Sequence, residues 1–155
     1  MRWKHMALSV LAFLLLFSAC AAKPQDPFLT ALQTAAKEAD LVVMHHSNGP
    51  DDWEAYRRIT DRQTVKDLVE EVPSHLGETD RGGGWAGNDP VSFTFYRQGE
   101  ELLSITFPGL NQKLEEKARL RLDDTWQWYR FAGNQEFAQR YWALGIPVEE
   151  GSVPK

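Results

Sequence analysis

Two short runs of alternating apolar and polar residues limit the folds open to this chain of 155 residues. Residues 91–95 and 103–107 each place every second side chain on the same side of an extended backbone. The intervening Gln98-Gly99-Glu100 is a turn sequence. Together these segments predict a β-hairpin with one buried face.

More strands follow this hairpin along the chain. Residues 118–122 alternate in the same way, and the turn sequence Asp123-Asp124 separates them from the aromatic run 125–131. Consecutive strands joined by short connections pair antiparallel. We therefore expect a meander of three or four strands.

Helical spacing of apolar residues marks both ends of the domain. Residues 27–39 predict a first helix, with Asp26 as its N-cap and Pro27 in its first turn. A last helix is predicted between Gly133-Asn134 and Gly145, with Pro147 beyond it. Its buried face would carry the side chains of Phe137, Tyr141 and Leu144.

The clearest helix pattern lies in the middle of the chain, in an apolar stripe at i, i+3, i+4 and i+7 spacing over residues 65–72. Thr60 and Gln63 have capping-box spacing before it, and Pro73 is expected to end the helix.

The remaining segments complete the expected architecture. Residues 41–44 and 53–59 predict two further strands, and the glycine-rich segment 74–90 predicts a long loop. The prediction is an α+β fold in which helices pack on one face of an antiparallel meander sheet. We expect a single domain over residues 28–147 and a C-terminal tail over residues 148–155.

The first twenty residues have the order of an export signal. Arg2 and Lys4 precede the apolar run 6–17, which is shorter than the roughly 20 residues that a membrane span needs. Ser18-Ala19 and then Cys20, the only cysteine, end this stretch. It resembles the lipobox of bacterial lipoproteins, although Phe17 stands where that pattern usually has leucine.

The resemblance implies a cellular location and attachment to a membrane. Residues 1–19 would be removed as a signal peptide, Cys20 would carry fatty acyl groups such as palmitate, and residues 20–27 would form a lipidated tether. Ala21, rather than aspartate, implies the outer membrane, with the domain facing the periplasm. The alternative is ordinary signal cleavage after Ala21, since Ala19-Cys20-Ala21 also fits small-x-small processing.

Net charge argues against two classes of partner. The first 19 residues hold two of the 17 Lys and Arg residues and none of the 22 acidic ones, so the remainder carries a formal charge of −7. This acidity argues against nucleic acid as a partner and against electrostatic adhesion to anionic lipid.

A metal site could be drawn from histidines and aspartates. The candidate ligands are His45, His46, Asp51, Asp52 and His75. Adjacent residues of a strand point to opposite faces, and no His-x₃-His or His-Glu-x-x-His spacing is present. We therefore expect no metal here and interpret these histidines as surface or loop residues.

No cofactor or catalytic motif is apparent. The triple glycine 82–84 lacks the Gly-Lys-Ser/Thr of a phosphate loop, and no Gly-x-Ser-x-Gly occurs. A choice of catalytic carboxylates among the 22 acidic residues would be arbitrary. We expect no cofactor and no enzymatic activity.

Aromatic residues provide the candidate binding site. Trp126 and Trp128 share one face of a predicted strand, whereas Gln127, Tyr129 and Phe131 share the other. Since only one face can meet the helices, the other is either exposed for binding or covered by the loop 74–90, which carries Trp85. These alternatives give Trp85, Trp126 and Trp128 as candidate binding residues.

Two functional hypotheses follow. In the first, a non-enzymatic envelope lipoprotein binds a partner protein or an envelope polymer through the aromatic sheet face and the glycine-rich loop. In the second, an envelope hydrolase has its site between loops 45–53 and 74–90. A small-ligand carrier is a third possibility.

The mature domain resembles small secreted bacterial domains of unassigned role. The resemblance depends on Ile59-Thr60-Asp61 before a helix and on the later Phe-x-Phe-Tyr-x-x-Gly pattern of 93–99.

Overall fold

A computed structural model describes residues 26–48, 53–82, 89–111 and 115–154. Within these residues the α-helices are α1 (Pro27–Glu38), α2 (Arg62–His75) and α3 (Asn134–Leu144), and a short 3-10 helix spans Glu150–Ser152. The strands are β1 (Leu41–Asn48), β2 (Trp53–Ile59), β3 (Leu76–Thr79), β4 (Val91–Arg97), β5 (Glu100–Phe107), β6 (Lys117–Leu122), β7 (Thr125–Phe131) and β8 (Ile146–Val148). The predicted signal segment, Cys20 and Trp85 lie outside the described residues.

The fold is α+β, as the sequence predicts, and its antiparallel sheet is larger than expected. The strand order is β3-β7-β6-β5-β4-β1-β2-β8. Strands β4 to β7 form the predicted meander, and the hairpin β1–β2 joins it by pairing β1 with β4. The predicted meander of three or four strands is therefore the centre of an eight-stranded sheet.

All three α-helices contribute to one hydrophobic core on one face of the sheet. Alternating side chains of the strands pack there against apolar residues of the helices, as period-two and 3.6-residue patterns require. Its largest fully buried aromatic side chains are Phe93, Phe95, Phe107, Phe131 and Phe137.

Asp26 fixes the start of α1 in two ways. One carboxylate oxygen accepts a hydrogen bond from Phe28 N at 2.9 Å, as the predicted N-cap requires, and Pro27 occupies the first turn. The other accepts from the Tyr129 hydroxyl at 2.6 Å. The same residue therefore caps α1 and ties it to β7.

Helix α2 corrects two sequence predictions. Asp61, not Thr60, is the N-cap, because its carboxylate accepts from Thr64 N at 2.8 Å. Gln63 donates instead to Asp67. Pro73 does not end the helix, which continues to His75 and places the proline in its last turns. Proline removes one N–H from the helix, and here that loss is tolerated near the C-terminal end.

The β4–β5 turn confirms the predicted hairpin. Gln98 and Gly99 have φ angles of 52° and 84°, so both adopt the left-handed conformation of a two-residue hairpin turn. The strands are longer than the alternating runs alone indicate, since β4 reaches Arg97 and β5 begins at Glu100.

Three further predictions need correction, two of them at the edges of the sheet and one in α3. The segment 74–90 is not one loop, because β3 lies within it and pairs with β7 at one edge. Leu144 does not join the buried face of α3, since 56 % of it is exposed. Val148, assigned to the tail, pairs with Tyr56 at the other edge. Backbone pairing at both edges thus orders segments that have no strong apolar pattern.

Among residues that the structure describes, none of the helices combines the length and apolar character needed to cross a bilayer.

Candidate functional site

The sheet face opposite the helices, called here the outer face, carries two side-chain rows that run across the strands. Strand pairing places their members side by side from β7 to β2. The first row is Trp128, Arg119, Thr106, Ser92, His45 and Tyr56. The second row is Trp126, Arg121, Ser104, Thr94, Val43 and Arg58.

One end of both rows is a cluster of cations and indoles. Alternation along β6 directs Lys117, Arg119 and Arg121 to the outer face, and alternation along β7 directs Trp126, Trp128 and Arg130 there. The register pairs Arg119 with Trp128 and Arg121 with Trp126. We call these six residues the cation–indole patch.

The two tryptophans of the patch differ in exposure. Trp126 is 57 % exposed, whereas Trp128 is 6 % exposed although it lies outside the helix-facing core. Lys117 Nζ and the Arg119 guanidinium carbon lie 5.6 and 5.8 Å from the Trp128 ring centroid. These are cation–π distances. The sequence therefore correctly placed both indoles on one face of the strand, but only Trp126 is open to solvent.

Some of the cations of the patch form ion pairs with carboxylates. Arg121 Nη2 lies 2.8 and 3.1 Å from the two carboxylate oxygens of Glu101. Buried Lys117 pairs with Glu115 and lies 3.9 Å from Asp80. Exposed Arg58 and Arg130 form no ion pair with any residue in the described ranges. The outer face thus keeps cations available in a chain that is acidic overall.

An aromatic pair occupies the other end of the first row. The His45 and Tyr56 rings stack with centroids 4.5 Å apart, and the Tyr56 hydroxyl donates to Glu54 at 2.9 Å. Burial, together with this hydrogen bond and the Glu54 charge, raises the pKa of Tyr56 to about 12. Tyr56 therefore remains a neutral hydrogen-bond donor at physiological pH.

Hydroxyl groups line the middle of both rows. The Thr94 hydroxyl donates to Ser104 Oγ at 3.1 Å, so the buried Ser104 hydroxyl already has a partner. Ser92 and Thr106 are half-buried neighbours in the first row. Because these serine and threonine side chains are small, the middle of the outer face is recessed relative to its two ends, which carry larger side chains.

Comparisons with protein-family models, curated proteins and solved structures find no match to this chain.

A second group of polar residues lies on the helix-facing side. His46 Nε2 contacts Asp89 Oδ1, and their side chains are only 3 % and 8 % exposed. The other Asp89 carboxylate oxygen accepts from Asn111 N at 2.9 Å. The His46 ring lies edge-to-face with Trp53 and Trp142, at centroid distances of 5.0 and 5.4 Å. Sequence reasoning did not predict this pair, because 43 residues separate its members.

The three histidines considered for a metal site do not converge, and His46, expected at the surface or in a loop, is buried within β1. His45 and His46 point to opposite faces of β1, as strand geometry requires, and His75 contacts Glu71 at the end of α2. Asp51 and Asp52 lie outside the described residues. Within those residues, no group of three or more His, Cys, Asp or Glu side chains has the arrangement of a metal site.

A cleft of about 470 Å³ adjoins the cation–indole patch near β3. Lys117 and Arg130 line it together with Asp80, Glu115 and Glu116. Its charge is therefore mixed.

Sequence reasoning missed Lys117, Arg121 and Arg130 as candidate binding residues. A signal was present, because Lys117, Arg119 and Arg121 recur at period two immediately before the Trp126/Trp128 alternation. The partner strands that place them in rows could not be read from that pattern. Trp85 lies outside the described residues.

Proposed function

We propose that this protein is a non-enzymatic, lipid-anchored protein of the bacterial envelope that binds a partner protein or an envelope polymer. The supporting observation is the pair of rows on the outer face, where exposed cations and aromatic rings flank hydroxyl groups. Such side chains bind by stacking and by charge-assisted hydrogen bonds without changing protonation state.

The anchor part of this proposal depends on the N-terminal sequence. Cys20 follows an apolar run with two small residues directly before it, as lipid attachment would require. Two or more acyl chains would hold the protein stably on a membrane. Ala21 favours the outer membrane, and the domain would then face the periplasm.

Fatty-acid labelling in a bacterial host tests the anchor. The full-length chain should incorporate labelled fatty acid, and the Cys20→Ala variant should not. An unlabelled mature chain, or equal labelling of both proteins, would exclude lipid attachment at Cys20.

Crosslinking in cells tests binding by the outer face. We expect the full-length chain to form an envelope adduct that a Trp126→Ala/Arg121→Gln variant loses. Trp53→Ala/Arg62→Gln is the matched control, since it removes an exposed indole and an exposed cation that lie off the outer face. An identical adduct pattern for all three proteins would contradict the proposal.

A second candidate function is an envelope hydrolase. The contact between His46 and Asp89 favours it, because a histidine oriented by a carboxylate can act as a general base and the two residues come from the two predicted loop segments. The burial of both side chains instead favours a purely structural role for this pair.

Hydrolysis assays separate these roles for His46. If the contact between His46 and Asp89 is purely structural, the full-length chain should not hydrolyse nitrophenyl esters or glycosides. The only effect of His46→Asn should then be a loss of stability. Turnover that His46→Asn abolishes in a folded variant would support the hydrolase.

A further inference from the structure

We infer that the outer face binds an acidic polysaccharide bearing uronate carboxylates, laid across the strands from β7 towards β2. This inference rests on the proposed binding function and specifies its ligand. The rows that carry it begin at Trp126 and Trp128 and end at Arg58 and Tyr56.

The geometry of the rows suits an extended chain. Five strand-to-strand steps separate Trp128 from Tyr56, which at about 4.8 Å a step is roughly 24 Å. Aromatic groups stand at both ends of the first row, and hydroxyl side chains lie between them. A polymer crossing the strands would therefore meet aromatic groups near each end of the row, with exposed Trp126 beside buried Trp128, and hydroxyl groups between them.

Ring stacking accounts for the saccharide part of the ligand. The exposed Trp126 indole and the His45–Tyr56 stack offer flat apolar surfaces with polar edges. The apolar C–H face of a sugar ring can lie on such a surface while its hydroxyls reach Ser92 or Thr106. A purely apolar ligand would leave these hydroxyls without partners on binding.

The positive charges of the outer face account for the carboxylates of the proposed ligand. Arg58, Arg119, Arg121 and Arg130 place guanidinium groups on this face, although the whole chain is acidic. A guanidinium matches the planar geometry of a carboxylate. Arg121 already contacts both oxygens of a carboxylate, that of Glu101, at 2.8 and 3.1 Å. The protein thus shows the contact that a uronate would make.

Glu101 occupies the Arg121 guanidinium that a uronate carboxylate would contact. An incoming carboxylate must compete with Glu101 for Arg121, so removal of the Glu101 charge should strengthen binding. Glu70→Gln is a matched control on the exposed surface of α2, where Glu70 lies 3.7 Å from Lys66.

The experiment measures binding of oligogalacturonate and of its neutral methyl ester by calorimetry. The full-length chain in detergent should bind the acid and discriminate against the ester, and added salt should weaken binding. We expect Trp126→Ala and Arg121→Gln each to weaken binding roughly fivefold and Glu101→Gln to strengthen it roughly threefold, in line with exposed stacking and ion-pair contributions. Trp53→Ala, Arg62→Gln and Glu70→Gln should bind like the wild type.

Other outcomes would overturn the inference and separate it from the proposed function. Equal affinity for the acid and the ester, with loss in Trp126→Ala, would refute the carboxylate and leave a binding face for neutral glycan. Absence of glycan binding, with crosslinked adducts still lost in the outer-face variant, would refute the glycan but not the binding function. Binding of anionic phospholipid vesicles without oligogalacturonate binding would identify the ligand as a lipid surface.

Discussion

At the scale of the residue, Gly145 shows how little space separates α3 from the sheet. A Cβ built there would overlap the Met44 methyl group and come within 2.9 Å of Arg57 Cβ. The Arg57 guanidinium donates to the carbonyl oxygens of Trp142 and Gly145 at 3.1 and 3.2 Å, so it also fixes the end of α3. The φ angle of Gly145 is ordinary at −74°, and its requirement is therefore steric.

We expect Gly145→Ala to lower the free energy of unfolding by about 1–3 kcal/mol, because overpacking forces side chains or backbone to shift. Urea denaturation measures this change. Gly151→Ala is the control, since an added Cβ there meets no atom within 4 Å. Equal stability of Gly145→Ala and the wild type would show that Met44 and Arg57 move aside at no cost.

At the scale of the element, Glu71 joins α2 to α3. Its carboxylate accepts from the Tyr141 hydroxyl at 2.6 Å, contacts Arg140, and lies 3.0 Å from His75 Nε2. Burial raises the pKa of Glu71, but hydrogen bonds from Tyr141, His75 and Arg140 outweigh it and lower the pKa below its usual value. His75 Nδ1 lies 2.7 Å from the Ala132 carbonyl oxygen. The ionised carboxylate thus stabilises the contact between the two helices.

We expect Glu71→Gln to lower the free energy of unfolding at pH 7 by about 1–3 kcal/mol. A folded-state pKa below the unfolded one stabilises the fold above the unfolded pKa, and this contribution is lost as pH falls through the folded pKa. The difference between variant and wild type should therefore shrink in acid.

Urea denaturation at several pH values measures this effect. Glu70→Gln, next along α2, should change stability little at any pH, because its ion pair with Lys66 is exposed. A Glu71→Gln difference that is constant from neutral to acid pH would refute the role of the charge.

At the scale of the whole molecule, Asp89 joins the segment before β4 to the end of β1 and to the segment after β5. It contacts buried His46, and its other carboxylate oxygen accepts from Asn111 N. Its backbone carbonyl also accepts from Leu110 N at 3.2 Å. One buried side chain therefore connects three distant parts of the sequence.

We expect Asp89→Ala to cost about 3 kcal/mol of stability, because it leaves buried His46 and the Asn111 N–H without their acceptor. Asp89→Asn should cost less, since its amide oxygen can still accept from Asn111. Urea denaturation compares both with exposed Asp124→Ala, for which a change within about 0.5 kcal/mol is expected. A similarly small change for Asp89→Ala would show that this connection does not stabilise the fold.

The fold was predictable where local patterns were strong. Period-two alternation over residues 91–95 and 103–107 and the Gln98-Gly99 turn indicated the hairpin, and the stripe over residues 65–72 indicated α2. The start and end of α2 were less predictable, because Thr60 and Asp61 can both cap a helix and a proline can lie in a last turn. Competing local interactions of similar strength decide such boundaries.

The outer face was predictable only in part. Alternation placed Trp126 and Trp128 on one side of a strand, but it could not show that Lys117 and Arg119 lie against the Trp128 ring. It also could not show that β1 pairs with β4 and so extends the rows to Arg58.

By itself, the sequence determined the strand and helix segments with strong periodicity, the acidity of the chain, and the face of β7 on which each aromatic residue lies. These follow from local backbone geometry and composition. Only the tertiary structure decided the order of the eight strands, the burial of Trp128 and the meeting of His46 with Asp89. The physical reason is that pairing between distant segments depends on how the whole core packs, which no local pattern encodes.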